Sequence, residues 1–219
     1  MADHTQDSLL REIDEELRQE QYAKLWKKYG SYLIAAALAL VVAVAGYQGW
    51  QTYDVKNRME QGERFAAAQQ LAMSGKTAAA AEAFAALTDD AGGGYELLAS
   101  LRTAAAIAKT GDKSGAVAIY RRLSEDSGYD SVYRDLAVIL EALLIIDDSE
   151  AGAIRSRLVP LMADDNPWRH SARELAAHAA VGAGDRKVAR ELFTNLARDG
   201  AAPQGIRSRA GEMLSIVGE

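Results

Sequence analysis

Residues 29–53 read YGSYLIAAALALVVAVAGYQGWQTY, an uncharged run of 25 residues between Lys28 and Asp54. As an α-helix this run would rise about 37 Å, which is enough to cross a hydrocarbon core of about 30 Å. Only Leu, Ile, Val and Ala occur at its centre, over residues 33–45. Aromatic side chains, which anchor at membrane interfaces, flank that centre: Trp26, Tyr29, Tyr32, Tyr47, Trp50 and Tyr53. The run therefore predicts a single transmembrane helix over residues 29–53.

Two other interpretations of the run are a buried core helix and a signal peptide cleaved after Ala45. The sequence Ala43-Val44-Ala45 followed by Gly46 matches the small-residue pattern of a cleavage site. However, the 28 preceding residues carry seven acids and five bases, unlike the basic leader of a signal peptide. The uncharged run also continues beyond Ala45. We therefore favour an uncleaved anchor.

The distribution of bases predicts the orientation of this anchor. Five bases precede the run: Arg11, Arg18, Lys24, Lys27 and Lys28. Three follow it closely: Lys56, Arg58 and Arg64. Because cytoplasmic flanks carry the excess of Lys and Arg, the N-terminus is expected in the cytoplasm and the C-terminal part outside. In a bacterium this predicts a single-pass inner-membrane protein with a periplasmic C-terminal domain.

Residues 1–28 form the predicted cytoplasmic tail. Aliphatic residues recur there at spacings of three and four, which is typical of one apolar stripe on a helix: Leu9, Leu10, Ile13 and Leu17. Such a short amphipathic helix would lie along the inner membrane surface, or would dock on a partner.

Residues 54–219 contain an internal repeat that becomes visible when three glycines are aligned. Each glycine is followed by Ala at offset five, an aromatic residue at nine and Leu at twelve. The three sets are Gly75, Ala80, Phe84, Leu87; Gly111, Ala116, Tyr120, Leu123; and Gly184, Ala189, Phe193, Leu196. The first step is 36 residues and the second is 73, close to two steps. A further turn is therefore expected near Asp148 or Ser149, where Ile154, Leu158 and Leu161 keep the apolar spacing.

Each copy predicts a pair of helices joined at the glycine, because glycine adopts the left-handed turn that ends many helices. In the second copy these helices cover residues 95–110 and 112–126. Asn166-Pro167 is expected to open the fourth pair, and Pro203 a last helix that covers the end of the stack. No segment alternates with period two. The sequence thus predicts an all-α protein, with residues 54–219 forming a solenoid of about four helix hairpins plus a capping helix.

The repeat resembles the tetratricopeptide repeat, whose step is 34 residues, although Leu stands here where the consensus has a small residue. Three further segments are distinctive: residues 24–30 (KLWKKYG), residues 47–51 (YQGWQ) and residues 65–68 (FAAA). Through these segments the whole layout resembles the tetratricopeptide ancillary subunit of the bacterial Sec translocon. It implies a cytoplasmic tail, one span and a periplasmic repeat domain that associates with the translocon, periplasmic chaperones and newly exported chains.

The sequence offers no pattern for catalysis, a cofactor or a metal. Cysteine is absent, which excludes thiol catalysis and thiolate-bound metal clusters. Gly75-Lys76-Thr77 lacks the earlier glycine of a phosphate-binding loop, since that position is Gln70. His170 and His178 would lie about 12 Å apart on a helix, too far for one metal ion. With a net charge of −6, nucleic acid is not an expected partner. We therefore predict a binding protein rather than an enzyme.

Stacked helix pairs form a groove lined by the first helix of each pair. The repeat register predicts that this groove binds proteins through Phe65, Gln69, Met73, Leu98, Leu101, Lys109, Glu174 and His178. The alternative for Phe65, Leu98 and Leu101 is packing in the core. The expected function is to hold protein partners at the membrane near the translocon. A scaffold for envelope assembly or cell division, unrelated to secretion, is the alternative.

Overall fold

The computed structural model describes residues 3–146 and 151–218, and within them the chain is helical and contains no strand. The helices are α1 Asp3–Met73, α2 Thr77–Asp90, α3 Gly94–Lys109, α4 Lys113–Glu125, α5 Ser131–Ile145, α6 Ala151–Leu158, α7 Arg169–Gly182, α8 Arg186–Arg198 and α9 Gln204–Val217. One 3₁₀ turn, Val159–Met162, follows α6. The all-α prediction is therefore confirmed for the described residues.

The chain divides into two compact units between Met59 and Glu60. The first unit is the N-terminal part of α1, in which the predicted tail and the predicted span belong to one continuous helix. Residues 31–53 are all exposed, with Val42 at 70% and Trp50 at 71% exposure. Asp54, the next residue, is half-buried. Within Tyr22–Met73 the helix is long and apolar enough to cross a membrane. The side chains of Leu9, Leu10, Ile13 and Leu17 lie outside the described residues.

The second unit is the repeat domain, and its turns confirm the predicted role of the glycines. Gly75, Gly111 and Gly184 have φ angles of 79°, 102° and 75°. After each glycine the next backbone N–H donates to a carbonyl five residues earlier, at 3.0, 3.1 and 2.8 Å respectively. This is the hydrogen bond by which a left-handed glycine closes the end of a helix. The turn expected near Asp148 or Ser149 lies outside the described residues.

An aspartate caps the second helix of two pairs, which the sequence analysis did not anticipate. Asp112 accepts a hydrogen bond from the Gly115 N–H at 2.8 Å, and Asp185 accepts one from the Val188 N–H at 3.2 Å. The Gly115 N–H, followed by the Ser114 hydroxyl, lowers the pKa of Asp112 from its usual value. In the first pair the equivalent residue is Lys76, and α2 has no side-chain cap.

The core of the domain consists of the residues that define the repeat. Ala80, Ala116 and Ala189 are each 0% exposed, so the helices of a pair approach closely at these positions. The aromatic and leucine positions that follow them are also buried: Phe84, Leu87, Tyr120, Leu123, Phe193 and Leu196. In the third pair, the predicted Ile154, Leu158 and Leu161 are buried, and Trp168 packs against the core cluster that contains them. Each buried side chain of this size contributes about 1.5–3 kcal/mol to folding.

The fourth pair and the last helix begin close to the predicted positions. Helix α7 starts at Arg169 rather than at Pro167, because residues 166–168 form a separate turn in which the Asn166 side chain accepts the Trp168 N–H at 2.8 Å. Helix α9 follows Pro203 directly. Its buried residues Ile206, Ala210 and Val217 pack in one cluster with the core residues of α8, so α9 covers the last helix pair.

Replacing Gly111 and Gly211 by alanine should change the stability of the domain in opposite directions. Gly111→Ala places a Cβ at a φ of 102° and should lower the free energy of unfolding by about 1–2 kcal/mol. Gly211 lies within α9, and nothing stands within 4 Å of an added Cβ, so Gly211→Ala should raise it by about 0.5–1 kcal/mol. Urea unfolding of the detergent-solubilised chain, followed by circular dichroism, measures both. A stabilising Gly111→Ala would contradict the turn assignment.

Candidate protein-binding surface

The first helices of the pairs, α3, α5 and α7, are linked by the core clusters of the repeat domain. Helices α3 and α5 contribute to one core cluster, and α5 and α7 to the next. The burial patterns of α3 and α7 match after a shift of 73 residues. Buried Leu97 then corresponds to buried His170, and buried Ala99 to buried Ala172. The pattern of α5 matches that of α3 after a shift of 38, which pairs Ala99 with Ala137.

This register defines a row of side chains on the face of the first helices that the core leaves open. We call it the first-helix row: Gly62, Ala66, Gln69 and Met73 on α1; Leu98, Arg102, Ala105 and Lys109 on α3; Leu136, Leu140 and Leu143 on α5; Ser171, His178 and Gly182 on α7. Leu175, at the α7 position equivalent to Arg102, is not part of the row, because it is 8% exposed and packs in the core cluster of α5, α6 and α7. The row is apolar in its middle, where Leu98 is 44% exposed and Leu143 is 61% exposed. Large exposed apolar side chains are a feature of surfaces that bind other proteins.

Three of the predicted groove residues, Phe65, Leu101 and Glu174, occupy one equivalent position, and its side chains pack inside the domain. The Phe65 ring lies 5.3 Å from that of Phe84. Leu101 is 9% exposed and belongs to the core cluster of α3, α4 and α5. The Glu174 carboxylate accepts two hydrogen bonds from Arg209, at 2.7 and 2.8 Å, which raise the pKa of Arg209. For Phe65 and Leu101, the structure therefore agrees with the alternative of packing in the core.

The other five predicted residues belong to the first-helix row. Gln69, Met73, Leu98 and Lys109 are exposed, with Met73 at 74%. His178 is half-buried, and its ring meets that of Phe193 edge-on at 5.2 Å. The structure thus brings these five residues to one face, and their binding role stays a prediction.

The other residues of the row were not predicted from the sequence, and Arg102 and Leu143 are two exposed examples. Arg102 follows Leu98 by four residues and was accessible to the same helical spacing argument. Leu143 was not, because residues 146–150, which follow α5 in the sequence, contain no glycine from which to set the register. Its position emerges only from the burial pattern of α5.

The carboxylates of the first helices α3, α5 and α7 are all engaged within the domain. Glu96 accepts a hydrogen bond from the Tyr129 hydroxyl at 3.0 Å; burial, reinforced by this carboxylate, raises the pKa of Tyr129 to about 12. Asp135 accepts one from the Asn166 amide at 2.8 Å. Glu141 is 0% exposed and forms ion pairs with arginines of two other helices. These acids stabilise the packing of neighbouring pairs and are not available to a ligand.

His170 and His178 both contact other side chains of the domain. The His170 Nε2 lies 3.0 Å from the Asp199 carboxylate, whose pKa is lowered first by the Ala201 N–H and then by this histidine. Across residues 3–146 and 151–218, no group of three or more His, Asp or Glu side chains could hold a metal ion. The exposed side chains of the row are mostly apolar, and its two exposed charges are basic.

Two leucines of α3 should respond very differently to truncation. Leu101→Ala removes a buried side chain and should lower the free energy of unfolding by about 2–5 kcal/mol. Leu98→Ala is the matched control on the same helix and should change it by less than about 0.5 kcal/mol. Urea unfolding of the solubilised chain compares them. Equal losses for both variants would mean that Leu98 packs in the core and that the row is assigned to the wrong face.

The comparison with protein families matches residues 23–207 to the tetratricopeptide repeat-like domain. The matched range begins before the uncharged run and ends within α9. No curated protein and no solved structure matches the chain. The match covers most of the 219 residues and agrees with the helix pairs and turn glycines described above. The chain therefore belongs to the tetratricopeptide repeat-like family.

Proposed function

We propose that this protein is a single-span protein of the bacterial inner membrane, with its repeat domain in the periplasm. In this proposal the repeat domain is an accessory of the Sec translocon that binds newly exported chains and periplasmic chaperones. The observation that carries the proposal is the combination, in one chain, of an exposed apolar helix and a repeat domain with an exposed apolar row.

Binding of proteins is supported by the family and by the row. Tetratricopeptide repeat-like domains typically bind proteins, and this chain matches the family over residues 23–207. The row offers exposed leucines together with two exposed bases, and the described residues of α3, α5 and α7 include no exposed carboxylate. An extended or helical segment of a partner would bury Leu98 and Leu143, and each such side chain contributes about 1.5–3 kcal/mol when it is fully buried.

The membrane anchor is supported by the composition and exposure of α1. Its most apolar window is only 6% buried, whereas the core helix of a soluble protein is mostly buried. The family match starts at Ala23 and therefore includes the uncharged run. The excess of bases before the run supports a cytoplasmic N-terminus and a periplasmic repeat domain.

The link to the translocon rests on the resemblance of residues 24–30 and 47–51 to the flanks of the span in the ancillary translocon subunit. These flanks lie where a span would meet the two membrane surfaces, and there they can contact a neighbouring membrane protein as well as lipid. A translocon-bound anchor would hold the row close to chains that emerge into the periplasm.

A photo-crosslinking amino acid at position 143 should form adducts with translocon subunits or exported chains, because Leu143 is 61% exposed in the row. The matched control carries the same amino acid at position 187, since Lys187 is exposed on the second helix α8. Intact cells are irradiated and the adducts are identified by mass spectrometry.

Three results are distinguishable. Adducts at position 143 and few at position 187 support the proposal. Adducts at 143 with cell-division or envelope-assembly proteins alone would contradict the role in secretion and favour the scaffold alternative. Equal adducts at both positions would contradict binding through the row.

A further inference from the structure

The exposed charges of the first-helix row are all positive, although the whole chain has a net charge of −6. Arg102 and Lys109 are exposed on α3 and have no ion-pair partner among residues 3–146 and 151–218. The other residues of the row include no acid. This face therefore differs in charge from the rest of the molecule.

Among the described residues of α3, α5 and α7, every carboxylate is engaged within the domain, so none of these acids neutralises the two bases. Glu96, Asp135, Glu141 and Glu174 all accept hydrogen bonds within the domain. Glu63 is exposed on α1, but it occupies the position equivalent to buried Ala99 and lies on a flank outside the row. A ligand on the row therefore meets two unneutralised bases beside exposed leucines.

We propose that the first-helix row selects partner segments in which carboxylates stand beside aliphatic side chains. The inference rests on the proposed function and specifies the class of segment that the same surface binds. Leu98 and Leu143 contact the aliphatic side chains of the segment, and Arg102 and Lys109 pair with its carboxylates.

The spacing of the two bases sets the spacing of the acids. Arg102 and Lys109 are seven residues apart on α3, which places them about 10 Å apart along the helix. Acids on one side of an extended segment lie two or four residues apart, which is about 7 or 13 Å and brackets this distance. At physiological ionic strength the screening length is about 8 Å, so each base acts mainly on its nearest carboxylate. Two acids at this spacing engage both bases.

The test uses three ten-residue peptides with acetylated and amidated ends, in which leucine alternates with glutamate, glutamine or lysine. The blocked ends remove the terminal charges, so only the side chains differ. Binding of each labelled peptide to the full-length chain in detergent is measured by fluorescence anisotropy. The glutamate peptide should bind about two- to thirtyfold more tightly than the glutamine peptide, as expected for two exposed ion pairs. The preference should weaken in high salt.

Charge reversal provides the variant and its matched control. Arg102→Glu with Lys109→Glu should abolish the preference for the glutamate peptide and favour the lysine peptide. Arg186→Glu with Lys187→Glu makes the same change of net charge at exposed positions of α8 and should leave the order of affinities unchanged. An unchanged order in the first variant, or an equal change in the second, would overturn the inference.

The outcomes separate this inference from the proposed function. If all three peptides bind equally and Leu143→Glu abolishes their binding, the row binds proteins without selecting acids. The inference then fails while the proposed binding role stands. If no peptide binds to the wild-type chain, both the selection of acids and binding through the row are contradicted.

Discussion

The constraint on which the architecture depends is an uncharged helix of 25 residues whose side chains are exposed. Seven large aliphatic side chains lie within it, and all are at least half exposed: Leu33, Ile34, Leu38, Leu40, Val41, Val42 and Val44. Leaving them in water would cost about 10–20 kcal/mol, as much as the whole stability of an average domain. A lipid bilayer would match the length of the helix and cover these side chains. Under the proposed function, everything C-terminal of the helix is then held at a membrane surface.

The repeat domain combines a buried core between its helix pairs with one face of exposed side chains. Left-handed glycines at Gly75, Gly111 and Gly184 reverse the chain within three residues. Fully buried alanines such as Ala116 allow the two helices of a pair to approach closely, and one aromatic residue per pair fills the space beside them in three of the four pairs. The acids of the first helices form hydrogen bonds or ion pairs with neighbouring helices, and Glu141 is the most buried of them. The open face thus keeps leucines and bases.

Local periodicity predicted most of this fold. Each turn glycine is followed at fixed offsets by Ala, an aromatic residue and Leu. Such features depend only on neighbours along the chain, so the sequence displays them directly. The sequence could not separate Leu98 from Leu101, because residues three apart share a broad helix face and the crossing helix decides which of them is covered. Glu141 was also not foreseen, because Arg121 and Arg157 reach it from other helices. Long-range pairing of this kind leaves no spacing signal.

The most direct measurement places a tag at the C-terminus and compares its size in cells with its survival when protease is added to intact spheroplasts. A full-length tagged chain whose tag is lost to external protease is the expected result, because it requires both an uncleaved span and a periplasmic repeat domain. A tag that is digested only after lysis would place the domain in the cytoplasm. A chain shortened near Ala45 would show that the apolar helix is removed, and either result would contradict the membrane-anchored account.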